Sequence, residues 1–253
     1  TMNVTITLIF FIYGLIFGSF FNVVGLRVPK GSLFSQTRSY CDTCERTLTW
    51  KELIPVFSFV IQKGKCRKCH EKISPVYPFM ELATGLLAAF AYYRFGFSAP
   101  LLLALLVISL VIPITVSDIA YRLIPNKILL FFLPLFMLYH FIFPTRSLWQ
   151  ALLGAGIAFG LLLLILILSK GGMGAGDLKY FTLLGFVFGP KGFFLTFFLS
   201  VLFGLVGGLI TMKRTKKGAK TMIPFGPYIG LAALTVLFYG DAFITWYLSL
   251  LGI

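Results

Sequence analysis

The sequence predicts an all-α polytopic membrane protein of about eight transmembrane helices that carries one small cytoplasmic zinc-binding loop domain. Three observations lead there. Hydrophobic residues make up 58% of the 253 positions and charged residues 12%, about half the charged share of a soluble domain. Apolar runs recur at or near the ~18 to 20 residues that span a bilayer. The basic residues alternate: 19 of the 22 fall on every second loop, and three (Arg94, Arg146, Lys191) fall on the others. That alternation places the basic loops in the cytoplasm and both termini outside. The net charge of +14 then serves orientation and contact with anionic lipids, and no nucleic-acid footprint is expected.

The spans are expected near 4–26, 78–97, 99–117, 126–143, 148–168, 177–190, 192–212 and 226–250. The first is long enough to remain as a span, and no small-residue cleavage site marks it as a removable signal. The run 177–190 is short, and runs of that length are often re-entrant. If it did not cross, the Lys213–Lys220 loop would move outside, against the charge rule, so it is read as a short crossing.

The first span ends in Gly18-Ser19-Phe20-Phe21-Asn22-Val23-Val24-Gly25-Leu26-Arg27. Gly18, Ser19 and Gly25 would let another helix pack close. Asn22 at the end of an apolar helix needs a partner. A helix–helix hydrogen bond is the plainer reading, and a substrate contact the alternative.

Residues 28–76 form the only sizeable soluble segment and hold all four cysteines, as Cys41-x2-Cys44, 21 residues, then Cys66-x2-Cys69. Two Cys-x2-Cys turns suit a closed tetrahedral Zn(2+) site, which is structural because it keeps no open position. Two disulfides are the alternative, disfavoured in a reducing cytosol. So short a loop builds little core, and a metal would supply much of its folding energy. His70, beside Cys69, is read as a bystander. The acids Asp42, Glu45, Glu52 and Glu71 are either ordinary solvation or a landing place for a basic ligand.

Three acids lie at the cytoplasmic ends of spans: Glu81, Asp118 and Asp177. An ionisable residue at a membrane boundary is a functional candidate by default. Glu81 reads equally as an interface residue reaching water or as a buried polar contact. Asp118 ends the third span, and 118–125 reads as a partly irregular link before Pro125. Asp177 follows Gly171-Gly172-Met173-Gly174-Ala175-Gly176, where missing side chains let backbone or substrate come close. Asp118 and Asp177 share a side and a depth. Two close carboxylates share a proton, so one can activate water while the other polarises a carbonyl. That is aspartic-protease chemistry. An ion pathway or simple helix-end solvation stays open on the residues alone. Metalloprotease and serine-hydrolase signatures do not occur.

Taken together, these motifs resemble the type IV prepilin peptidases, a family of bifunctional leader peptidases and N-methyltransferases. The resemblance runs nearly end to end. It includes Gly18-Ser19-Phe20 with Asn22 and Arg27, the doubled Cys-x2-Cys, Pro78 with Glu81-Leu82, and Asp118 with Ile124-Pro125-Asn126. It continues through Gly174-Ala175-Gly176-Asp177-Leu178-Lys179 and Pro224-Phe225-Gly226-Pro227-Tyr228. It implies that Asp118 and Asp177 cleave prepilin or pseudopilin precursors after a glycine that ends a short basic leader, at the cytoplasmic face of a bacterial inner membrane. It implies that the new N-terminus is then methylated with S-adenosylmethionine. The domains would be 1–27, a first transmembrane helix; 28–76, a zinc domain tied to methyl transfer; and 77–253, a transmembrane peptidase core. No Gly-x-Gly-x-x-Gly unit for the donor is readable in 28–76. The donor and substrate region is therefore expected where the zinc loop meets the membrane, around Glu81, Asn22 and Arg27.

Overall fold

The computed structural model describes residues 3–33, 38–41, 43–144, 147–170, 172–215 and 223–250. Asp42, Arg146, Gly171 and most of the basic loop before the last helix lie outside them. Among the described residues the chain is helical, with eight α-helices: α1 (Val4–Arg27), α2 (Phe57–Ile61), α3 (Val76–Phe95), α4 (Ala99–Tyr121), α5 (Asn126–Ile142), α6 (Leu148–Leu168), α7 (Ala175–Thr215) and α8 (Gly226–Leu250). Five of them, α1, α4, α6, α7 and α8, are long and apolar enough to cross a membrane. At 17 residues α5 is shorter, and α3 carries Glu81, Thr84 and Arg94 within its 20 residues.

Two expected boundaries differ. The runs 177–190 and 192–212 are covered by one element, α7, broken where Gly189 adopts φ 70° and ψ −175°. Gly189 reaches that left-handed φ without a Cβ clash, and Pro190 behind it cannot donate to the preceding turn. The link read as irregular from Asp118 begins later. Helix α4 continues through Tyr121, and Arg122 ends it at φ 54°, its N–H donating to the Asp118 carbonyl at 2.9 Å. That is a left-handed C-terminal stop made without glycine.

The chain forms two compact units, Thr1–Ser117 and Asp118–Ile253. In the first, α1 packs on α3. A methyl at Gly18 would lie 2.8 Å from the Glu81 Cα, so the missing side chain is what lets the helices meet at that level. Outward residues of α1 such as Leu8, Ile12, Ile16 and Phe20 are exposed, as expected of a face turned to lipid.

In the second unit α7 packs against α6, α8 and α5. Its core is aromatic. Phe181 contacts Phe193, Phe197 and Phe225, with ring centroids 6.3, 5.7 and 6.5 Å away. Edge-on and tilted rings at these distances are favourable beyond their area burial. Because Phe225 precedes Gly226, the cluster fixes where α8 begins.

Candidate active site and metal centre

Glycine turns and helix ends bring the two aspartates together in the second unit. Asp118 lies in the last turn of α4 and is buried. Its Oδ2 accepts a hydrogen bond from the Gly226 N–H at 2.7 Å. That N–H belongs to the first turn of α8, where donors have no partner within the helix and the helix dipole favours an anion. Asp177 is the third residue of α7, and its carboxylate accepts from the Gly174 N–H just before the helix. This is the back-reaching half of a capping box. Each carboxylate is pressed against a glycine: a methyl at Gly226 would lie 2.8 Å from Asp118 Oδ2, and one at Gly174 2.9 Å from Asp177 Oδ2. Asp177 lies within electrostatic range of Asp118.

Two further contacts align the same elements. The Ile124 Cβ would lie 3.0 Å from a methyl at Gly176, so the link after α4 rests on the glycine turn. Lys179 Nζ donates to Asn126 Oδ1 at 3.1 Å, joining the start of α5 to α7. Arg122 adds a positive charge within electrostatic range of Asp118. Sequence reasoning quoted the Pro224–Tyr228 stretch within the resemblance but did not identify Gly226 as a donor. It missed Tyr180, one turn beyond Asp177 and fully buried, because one aromatic among so many carries no signal.

The four cysteines meet in the first unit. Their sulfurs all lie within 4.8 Å of one another, and Cys41 and Cys69 are 3.6 Å apart. Tetrahedral zinc with bonds of about 2.3 Å places sulfurs at similar separations. The two turns repeat each other. Cys41 N–H donates to the Arg46 carbonyl and Glu45 N–H to the Cys41 carbonyl, as Cys66 N–H does to Glu71 and His70 N–H to Cys66. Glu45 (φ 53°) and His70 (φ 57°) hold the matching left-handed position. His70 therefore closes a turn and stands outside the sulfur cluster.

Backbone donors favour the thiolate form at two of the sulfurs. The Cys69 and Lys68 N–H groups hold Cys66 down at about 6, and those of Cys44 and Thr43 lower Cys41. The Glu71 N–H acts on Cys69 in the same sense, but burial and the neighbouring sulfurs outweigh it and push Cys69 up to about 12. Four sulfurs this close cannot all ionise unaided, and a dication removes the conflict.

Glu52 braces the loop. Its side chain is 1% exposed, with Arg46 Nη2 at 2.6 Å and Nη1 at 3.1 Å. The Thr49 N–H and hydroxyl donate at 3.0 and 2.9 Å. Arg46, ahead of the Thr49 N–H, holds Glu52 down at about 2. Glu52 is thus committed to Arg46 and offers no landing place for a basic ligand. Thr49-x-x-Glu52 was a readable capping signature.

Glu81 is buried and makes a polar contact: Oε2 accepts from the Val56 N–H at 2.7 Å, and Ser19 adds a side-chain hydrogen bond. Val56 holds φ 62°, a genuine outlier for a β-branched residue. Asn22 Nδ2 donates to the Tyr77 carbonyl at 3.1 Å, a bond from α1 to the start of α3. Arg27 Nη2 donates to the Arg38 carbonyl at 3.1 Å. A cavity of about 400 Å³ opens between the zinc loop and the helix ends, lined by Ser19, Tyr40, Glu71, Tyr77 and Glu81 among others.

Comparison with known proteins decides the kinship. A family model described as the bacterial peptidase A24 N-terminal domain matches residues 12–95, and one described as the type IV leader peptidase family matches 103–209. A prepilin leader peptidase/N-methyltransferase of Bacillus subtilis (strain 168) is 43% identical over 242 residues, 96% of this chain and 98% of that protein. The chain belongs to the type IV leader peptidase family. Among its other relatives, proteins of the same description from Stutzerimonas stutzeri and Legionella pneumophila are 32% and 33% identical, covering 94% and 84% of this chain and 92% and 76% of theirs. No solved structure matches. As a type IV leader peptidase the chain is an enzyme, and its long apolar helices fit a membrane protein.

Proposed function

We propose that this leader peptidase cleaves the basic leader from type IV prepilin or pseudopilin precursors after a glycine, and then N-methylates the new N-terminus with S-adenosylmethionine. The observation that carries the first half is the pair of carboxylates, Asp118 and Asp177, each held by a backbone N–H at the start of a helix. Asp118, with the α8 N-terminus and Arg122 beside it, is the ionised member. It takes a proton from a water lying between the two side chains. The water oxygen bonds to the scissile carbonyl carbon while the proton on Asp177 engages the carbonyl oxygen. As the C–N bond breaks, a proton passes to the departing amine nitrogen. The dyad titrates as a unit.

The kinship of the chain supports the second half. The cavity beside Glu81 suits a cationic ligand of this size, since carboxylates and aromatic rings line it and its volume is that of ordinary small-molecule sites. When bound there, S-adenosylmethionine would supply the methyl group. Glu81 would hold the α-ammonium of the new N-terminus, with Asn22 fixing α1 to α3 and Arg27 tying the loop to the helix end. Cys41, Cys44, Cys66 and Cys69 would hold Zn(2+), shaping the loop without taking part in chemistry.

In this reading the chain crosses a bacterial inner membrane about eight times, with α7 crossing, turning at Gly189 and crossing back. The zinc loop and the dyad face the cytoplasm, both termini face outward, and anionic lipids gather the basic leader. The division 1–27, 28–76 and 77–253 follows from it. The test incubates purified protein with a prepilin and methyl-labelled S-adenosylmethionine. Released leader together with label on the mature pilin supports the proposal. Released leader without label, and no binding of the donor, leaves a peptidase alone. Ion flux through reconstituted vesicles without any cleavage would instead favour a carboxylate-lined channel.

A further inference from the structure

Among the described residues of the second unit, Tyr180 carries a buried hydroxyl that the fold leaves without a partner. Its side chain is fully buried, and its hydroxyl has no hydrogen-bond partner among the described residues. Buried tyrosine hydroxyls are normally paired. The next core residue along α7 is a phenylalanine, Phe181, packed in a cluster of rings. A phenylalanine at 180 would present the same ring and leave no orphaned oxygen. The hydroxyl is therefore a cost to the resting fold, and such costs gather at functional sites.

Its position supplies the reason. Tyr180 lies three residues after Asp177, one turn along the same helix and on the neighbouring strip of its surface. Its phenol is in electrostatic range of Asp118. Asp177 on α7 and Arg122 at the end of α4 are also within electrostatic range of Asp118. The Gly226 N–H holds one Asp118 oxygen, Oδ2, from α8.

We infer that the Tyr180 hydroxyl is a donor kept vacant in the resting enzyme, and that it engages Asp118 Oδ1 when substrate occupies the site. With Gly226 holding Oδ2 and Tyr180 holding Oδ1, the plane of the carboxylate is fixed toward the water it activates. Tyr180 is thus a positioning residue. It acts through Asp118 and touches neither leader nor water. The inference rests on the proposed role of Asp118.

The experiment measures kcat and KM for prepilin cleavage, and the melting temperature, in purified wild type, Tyr180→Phe and Asp118→Asn. Tyr180→Phe is expected to lower kcat about tenfold, the rate equivalent of losing about 1.4 kcal/mol at the transition state, with KM unchanged. Its melting temperature is expected to equal or exceed that of wild type, because an unpaired buried hydroxyl has been removed. A kcat within twofold of wild type overturns the inference. So does a fall in kcat accompanied by a lower melting temperature, which would make the hydroxyl structural. If Asp118→Asn itself cleaves normally, the aspartate reading has failed, whatever Tyr180→Phe does.

Discussion

The Gly226 N–H donates to Asp118 Oδ2 at 2.7 Å, tying the first turn of α8 to a carboxylate 108 residues earlier in the chain. A methyl group at position 226 would lie 2.8 Å from that oxygen and 3.1 Å from the Asp118 Cβ. Gly226→Ala should therefore displace the carboxylate while leaving the apolar packing of α8 intact. Cleavage should fall by about tenfold or more, with the melting temperature changed by only a few degrees. Steady-state kinetics on a prepilin substrate, beside a thermal melt, check both.

Glu81 lines the cavity in the first unit and is held by the Val56 N–H. Glu81→Gln keeps the shape and removes the charge. Methylation should drop by about tenfold or more, while leader release stays within about twofold of wild type. Methylation and cleavage that both persist at normal rates would remove Glu81 from the donor site.

The cysteines all lie in the unit Thr1–Ser117, and both aspartates in Asp118–Ile253. Cys66→Ser should reduce bound zinc from one per chain to a small fraction of that, measured by elemental analysis of purified protein. The loop should become sensitive to protease and methylation should fail, because metal binding and loop folding are one equilibrium. Cleavage should survive.

Glu52 offers a pH test. Its carboxyl is held at about 2, below the usual 4.5, by Arg46. A lowered carboxylate contributes stability that is fully present above 4.5 and is lost as pH falls through 2. Glu52→Gln should then make the loop more protease-sensitive than wild type at neutral pH. That difference should shrink as pH is taken from about 4.5 toward 2. An equal difference at every pH would mean that shape, and not charge, is what Glu52 provides.

Much of this was legible in the residues. The apolar runs located the long helices to within a few positions, and Cys-x2-Cys spacing located the sulfur cluster. The break in α7 was expected only as the boundary between the runs 177–190 and 192–212, and the structure places it at Gly189. What escaped reading depended on backbone conformation or on direction. Nothing in an arginine marks Arg122 as a left-handed helix stop, so the link after α4 was begun at Asp118 instead of after Tyr121. Val56 is the last residue type expected at positive φ, yet its N–H is what meets Glu81. Asp177 was conspicuous because charge is rare in an apolar chain. Tyr180 was not, because only packing shows that its hydroxyl is buried without a partner.

The most direct test of the central claim is single-turnover cleavage of a prepilin by purified wild type, Asp118→Asn, Asp177→Asn and the double variant. If the two carboxylates work as one unit, each single variant loses nearly all activity, about a thousandfold or more, and the double variant is hardly worse than either. A single variant that processes the precursor at the wild-type rate would contradict the shared-water dyad.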